Sequence, residues 1–355
     1  RDLYVTGVQT CALPISGVHA TLKHFVGYSA SNAGRNHAPV SMGPRELADT
    51  YLPPFEMAVR EGGARSVMNS YTDVDGVPVA ADERLLTDVL RERLGFDGVV
   101  VSDYFAVAFL VVMHRVAADR GEAAALALRA GIDVELPNGD AYLEPLAERV
   151  RDGRVDPALV ERAVLRVLAQ KEELGLLEDD AFDEDAPEVV DLDTPRHRAV
   201  ARRLALESVV LLRNEGLLPL AVPQRIAVLG PNAHRAAALQ GCYSFANHVL
   251  VHHPGVEQGF EAPTVLDALA AAMPDARIVH ERGVDVEGDD ASGIPLAVAA
   301  ASEADVAIVV VGDDAGLFGR GTVGEGNDVA SLELPGLQRE LVERVVATGT
   351  PVVLV

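Results

Sequence analysis

Two carboxylates stand out by where the chain puts them. Asp103 closes the apolar run 98–103, Gly-Val-Val-Val-Ser-Asp, and Glu325 lies between glycines in the loop 319–328, Gly-Arg-Gly-Thr-Val-Gly-Glu-Gly-Asn-Asp. A carboxyl at a strand end and another on a glycine-rich loop are residue types suited to nucleophilic and general acid/base work. Their company supports such chemistry: Lys23 and His24 end one apolar run, Met68 and Tyr71 end another, and Arg35 follows the first. Together these offer charged donors to hydroxyls and one apolar wall, a lining suited to a sugar ring. Plainer readings stay open. Asp103 also fits a cap on the following helix, Glu325 a mobile surface glutamate, His24 a buried and satisfied histidine, and Arg35 a surface cation.

The Glu325 loop also spells G-x-G-x-x-G at Gly319, Gly321 and Gly324. A dinucleotide fingerprint needs its first glycine in the turn that joins a strand directly to a helix. Here residues 313–318 intervene, and Glu325 would bring the wrong charge to a phosphate. Cys242, in Gly241-Cys242-Tyr243-Ser244, has no base near it in sequence and reads as structural. The histidines, including His252-His253, lack the spacing of zinc sites. No metal and no cofactor is expected. Lys23 and Lys171 are the only lysines beside an otherwise all-arginine cationic set. Lys171 falls on a polar helix face, which leaves Lys23 as the candidate compact donor, a task a guanidinium does poorly.

The elements that must position these residues alternate. Over residues 17–177, apolar runs at 18–25, 66–71, 98–103 and 132–136 are separated by helical patterns. Residues 44–61 read as a helix kinked at Pro53-Pro54. Residues 82–94 read as a helix capped by Asp82, with Leu85, Leu86, Val89 and Leu90 on one face. Further helices are expected at 122–130 and 156–174. Repeated β-then-α at this spacing means parallel strands. Each run ends in polar residues, and in a (β/α)8 barrel those ends share the face that carries chemistry. Four strands fall short of the about 250 residues of a whole barrel, so the expectation is its C-terminal half.

An acidic, proline-punctuated linker is expected over 178–196, followed by a second domain at 197–355. There the rhythm resumes with strands at 208–212, 225–230, 277–280, 305–312 and 351–355, and with helices at 263–273 and 334–347. This reads as a doubly wound α/β sandwich. The fold class is therefore α/β: a partial TIM-like barrel followed by that sandwich.

Composition narrows the partners. The chain has 355 residues, 49% of them hydrophobic, and a formal net charge of −24. Such a charge repels nucleic acid and anionic lipid, whereas a neutral small-molecule or oligosaccharide substrate meets no such penalty. No apolar run approaches the about 20 residues of a membrane helix. Two cysteines, Cys11 and Cys242, give no disulfide framework, so a reducing compartment is compatible. Residues 1–16, RDLYVTGVQTCALPIS, show no structural period, and when back-translated resemble a sequencing-library adapter, so they are set aside with Cys11. The last six residues, 350–355, read as a strand cut off midway. A partial reading frame is the expectation, and half a barrel with unpaired edges is expected to be inactive by itself.

In this order, the motifs resemble glycoside hydrolase family 3. They are Lys23-His24-Phe25, Met68-Asn69-Ser70-Tyr71, Val99-Val100-Val101-Ser102-Asp103, Glu207-Ser208-Val209-Val210-Leu211-Leu212-Arg213-Asn214, Ile226-Ala227-Val228-Leu229-Gly230-Pro231-Asn232 and Gly324-Glu325-Gly326. The resemblance covers essentially everything after Ser16. It implies a retaining exo-β-glycosidase with Asp103 as nucleophile and Glu325 as acid/base, lent by the second domain. It also implies that Lys23, His24, Arg35, Met68 and Tyr71 surround the glycone sugar. A further aspartate and arginine of the family belong to barrel loops upstream of residue 17. Tyr104 stands where tryptophan is commoner, and with Phe105 and Ala106 it resembles the bacterial β-xylosidase branch more than the typical β-glucosidases. The His–Asp signature of the β-hexosaminidase branch is not found. Retaining chemistry implies two carboxyls about 5–5.5 Å apart. Lys23 and Arg35 are expected to favour ionised Asp103, and partial burial to favour protonated Glu325.

Overall fold

A computed structural model describes residues 19–179, 181, 191, 193–221 and 223–355. The segment 1–16, set aside as adapter-derived, lies outside the described residues, as does most of the acidic stretch 178–196. The chain divides into two compact units between residues 187 and 188.

In the first unit, β1 (Thr21–Phe25), β2 (Ser66–Asn69) and, further along the chain, Val99–Val101 form a parallel sheet in that order. The turn of helix Pro44–Glu46 continues as a π-helical stretch, Leu47–Tyr51. Helix α1 (Pro53–Arg60) then starts afresh, with its prolines in the first turn where their missing N–H costs nothing. The expected kink is thus a restart. A short hairpin, β3 (Asp73–Val74) with β4 (Val77–Pro78), was not legible beforehand. Helix α2 (Arg84–Arg93) is π-helical, and Asp82 Oδ1 accepts the N–H of Leu85 at 3.2 Å, as a cap should. Its Leu85, Leu86 and Leu90 are fully buried against Phe25, Val67 and Val100 of the sheet's core. The third strand, Val99–Val101, is β5, and α3 (Ala106–Val112), α4 (Arg120–Ala130), α5 (Glu144–Arg151) and α6 (Pro157–Glu173) follow it.

The expected strand at 132–136 is reduced to one parallel bridge, Val101 with Val134. Its own side chains explain why. Asp133 Oδ2 accepts the N–H of Val100 at 2.9 Å, and Glu135 accepts the N–H groups of Ala141 and Tyr142, so carboxylates replace part of the ladder. Asp133 is buried and also receives Arg91 of α2 at 2.7 Å and Arg166 of α6 at 2.9 Å. Burial pushes the Arg91 guanidinium down to about 10 against the opposing pull of Asp133, which leaves it charged at neutral pH. Removing one member of such a pair strands the other charges in the interior. Asp133→Ala is therefore expected to destabilise this unit by about 3–5 kcal/mol. Urea unfolding checks this, and a loss below about 1 kcal/mol would contradict it.

In the second unit, α7 (Pro195–Ser208) is capped by Thr194, whose side chain accepts from His197. It runs through Ser208, and Val209 to Leu212 beyond it are exposed with no strand assignment. The strand expected at 208–212 is thus absent among the described residues. Apolar content suggested it, but no neighbouring strand in this unit supplies a ladder. Four strands do pair: β6 (Arg225–Leu229), β7 (Arg277–Glu281), β8 (Val306–Val309) and β9 (Val352–Leu354), all parallel, in the order β7-β6-β8-β9.

Both faces of this sheet are covered. Ile226, Val228, Val306 and Ile308 meet α8 (Val265–Ala272), which starts at a Thr264–Asp267 capping box. Ala227, Leu229, Ala307 and Val309 meet α9 (Ile294–Ser302) and α10 (Gln338–Val346). Two buried faces explain why these strands read as continuous apolar runs without alternation. Helix α9 was not anticipated from the sequence, because its alanine-rich stretch has little polar face to mark a period.

Candidate active site

The residue after β5 is fixed by its neighbours. Ser102 donates its N–H to Val134 O at 2.8 Å and accepts the N–H of Leu136 on Oγ at 2.9 Å. Asn69, at the end of β2, accepts the N–H of Asp103 on Oδ1 at 3.2 Å and donates from Nδ2 to Ser70 O at 2.7 Å. Asp103 is left only 7% exposed. Its Oδ1 accepts the N–H of Tyr104 at 2.8 Å. Its Oδ2 is buried, lies 3.3 Å from Nε2 of His24 and accepts no hydrogen bond among the described residues. The helix-cap reading fails here: α3 starts from Phe105, a left-handed residue at φ 63°, without a side-chain cap.

His24 comes from β1 and stacks at 4.9 Å on Tyr28, whose hydroxyl donates to Asn36 Oδ1. Lys23 is exposed and lines a cleft of about 400 Å³ with His24, Tyr28, Tyr51 and Phe55. Arg35 is exposed in the loop after β1, and Met68 is half-buried on β2 in register with Val101. Tyr71 donates its hydroxyl to the backbone carbonyl of Tyr104 at 2.8 Å. Its ring packs on His37 at 4.5 Å, Phe109 at 5.4 Å and Tyr28 at 6.1 Å. His114 holds the backbone of Tyr71 through Nε2, 2.9 Å from the carbonyl, and burial pushes its imidazole down. The Tyr104 side chain is 52% exposed, although its backbone is tied to Tyr71 and Asp103. The fold thus unites Asp103, His24, Tyr71 and the Tyr104 backbone. Asn69, His37 and His114, which sequence reasoning gave no role, support them from β2 and two loops.

In the second unit, the loop bearing Glu325 is laced to itself. Gly316 N–H donates to Val323 O at 2.9 Å, Phe318 N–H to Glu325 O at 2.8 Å, and Gly319 N–H to Asn327 Oδ1 at 2.7 Å. Glycines permit this. Gly324 sits at φ 124°, and a Cβ there would fall 2.0 Å from Gly316 O; Gly326 sits at φ 75°. Glu325 is half-buried, and Tyr243 donates its hydroxyl to Oε2. The G-x-G-x-x-G reading ends here, since β8 stops at Val309 and α10 begins only at Gln338. Among the described residues no group of three His, Cys, Asp or Glu side chains could hold a metal ion, and no helix is long and apolar enough to cross a membrane.

A parallel-stranded βα unit with a buried carboxylate at a strand end, followed by a doubly wound sheet, is an architecture of glycoside hydrolases. Two family profiles match the chain: "Glycosyl hydrolase family 3 N terminal domain" over residues 2–170 and "Glycosyl hydrolase family 3 C-terminal domain" over residues 209–355. The chain belongs to glycosyl hydrolase family 3. A "Beta-xylosidase" of Formosa agariphila is 38% identical over 348 residues, 95% of this chain and 46% of that protein. A "Periplasmic beta-glucosidase" of Salmonella typhimurium is 32% identical, covering 100% of this chain and 49% of that protein. Among solved structures, a β-glucosidase of saponin metabolism from intestinal bacteria superposes with a TM-score of 0.85 at 32% identity, over 99% of this chain and 50% of that one. A β-glucosidase from Listeria innocua in complex with glucose gives a TM-score of 0.79 at 31% identity, over 99% of this chain and 46% of that one. The expected fold class, a partial TIM-like barrel followed by an α/β sandwich, is that of these relatives. The chain spans about half the length of the curated relatives it matches.

Proposed function

We propose that the protein is a retaining, exo-acting β-glycosidase, foremost a β-xylosidase, that releases terminal non-reducing β-linked sugars. The observation that carries this reading is Asp103: a buried carboxylate at a strand end, with Oδ1 anchored by the N–H of Tyr104 and Oδ2 facing Nε2 of His24 at 3.3 Å. In the proposed reaction Oδ2 attacks the anomeric carbon while the bond to the leaving oxygen breaks, and Glu325 gives that oxygen its proton. Glu325 then takes a proton from water as water displaces Asp103 from the sugar. His24, Tyr71, Met68, Lys23, Arg35 and Tyr104 are proposed to contact the glycone. The substrate is a neutral small glycoside or oligosaccharide, which the net charge of −24 does not repel.

Xylose is favoured by the Tyr104-Phe105-Ala106 sequence and by the β-xylosidase of Formosa agariphila. Aryl β-xyloside, β-glucoside and α-arabinofuranoside, assayed on protein expressed from the complete gene, test the choice. The β-xyloside is expected to give the highest kcat/KM. A β-glucoside turned over about tenfold better, a difference of about 1.4 kcal/mol in transition-state binding, would make the protein a β-glucosidase. No turnover of any of the three would leave a sugar-binding protein.

A further inference from the structure

We propose that Tyr243 is a positioning residue for the acid/base: its hydroxyl holds Oε2 of Glu325 and thereby assigns the travelling proton to Oε1. The inference rests on the reading of Glu325 as acid/base. Its basis is a contact that crosses 82 residues of sequence, from the Tyr243 hydroxyl to the Glu325 carboxylate. The backbone of Glu325 is already fixed, since its carbonyl accepts the N–H of Phe318 at 2.8 Å and positive-φ glycines flank it. The side-chain torsions stay free, and the Tyr243 hydroxyl restrains the carboxyl end of that side chain.

Tyr243 is 61% exposed, but the segment that carries it is held. Ser244 N–H closes a turn on Gly241 O at 3.0 Å, and Asn247 Nδ2 donates to the same carbonyl at 3.0 Å. The ring meets His248 edge-on at 5.4 Å. The preceding residue is packed against the loop as well: a Cβ on Gly324 would lie 3.0 Å from Cβ of Cys242. The segment 241–243 and the Glu325 loop therefore form one packed unit.

The consequence for the chemistry is specific. In the first step the carboxyl proton sits on Oε1 and passes to the leaving oxygen, while Oε2 keeps accepting from Tyr243. In the second step Oε1 takes a proton from water, and the tyrosine hydroxyl keeps its own proton throughout.

The test compares Tyr243→Phe with Glu325→Ala in protein expressed from the complete gene, using the best glycone of the substrate panel. Each variant is assayed on a phenyl glycoside, which needs protonation, and on a 2,4-dinitrophenyl glycoside, which does not. Y243F is expected to lose about tenfold in kcat/KM on the phenyl glycoside, a fraction of the 10²–10⁴ a general acid supplies, and less than about threefold on the dinitrophenyl one. An equal loss on both substrates would reduce Tyr243 to a packing residue. Glu325→Ala decides the underlying reading separately: if it shows no leaving-group dependence, Glu325 is not the acid, whatever Y243F does.

Discussion

Asp103→Asn is expected to lower kcat by at least about three orders of magnitude, or about 4 kcal/mol of barrier, on every substrate the protein turns over. The substitution is close to isosteric. Its amide oxygen can keep the bond that Oδ1 accepts from Tyr104 N–H at 2.8 Å, and the backbone bond from Asp103 N–H to Asn69 is untouched. The fold should therefore survive, with a melting temperature near that of the parent. What is lost is the buried Oδ2, replaced by a neutral amide nitrogen that cannot displace a glycosidic oxygen. The loss should be the same for phenyl and dinitrophenyl glycosides, because no leaving group is good enough to dispense with the nucleophile. Near-normal turnover by a well-folded D103N would remove Asp103 from the mechanism. Collapse of the fold instead would show the carboxylate to be structural, a reading the uncapped start of α3 already speaks against.

Much of this site was legible because strand ends announce themselves. The run Val99-Val100-Val101-Ser102-Asp103 is apolar up to the point where the chain leaves the sheet, so Asp103 had to stand at its rim. The same logic placed His24, and apolar runs located the four parallel strands of the second unit. Failures occurred where local pattern and partner disagreed. Residues 209–212 are as apolar as a buried strand, yet a ladder requires a neighbour that no pattern within the segment can report. Residues 132–136 looked like a strand, but Asp133 and Glu135 bond backbone N–H groups with their side chains. The glycines beside Glu325 permit both mobility and close backbone approach, and Gly324 against Gly316 shows the second use. Tyr243 carries no spacing signal of its own, because its partner Glu325 is 82 residues away. His37 and His114 were missed for a related reason: they act on Tyr71 through ring packing and a backbone carbonyl, for which no spacing rule exists.

Glu325→Ala should behave differently from D103N, and the contrast separates the two roles. Removing a general acid withdraws about 10²–10⁴ in rate where the leaving oxygen needs its proton. The phenyl glycoside should suffer the full loss, while formation of the glycosyl-enzyme from the dinitrophenyl glycoside should survive, since that phenolate departs unaided. Turnover of the second substrate would then stall at hydrolysis, because water attacking the sugar no longer has a base. Azide needs none. Added azide should restore turnover of the dinitrophenyl glycoside and yield a glycosyl azide of β configuration, because a second inversion follows the first. The Glu325 backbone carbonyl, which accepts from Phe318 N–H, is unaffected by the change, and Tyr243 loses only its acceptor. The loop should keep its shape and leave a void where the carboxylate stood, large enough for a small linear anion. An α-configured azide would imply inversion, and absence of any azide product in a folded E325A would place the acid elsewhere. Y243F sits between these cases. It keeps the carboxylate, so azide should gain little, and its defect should follow the leaving group without stalling hydrolysis outright.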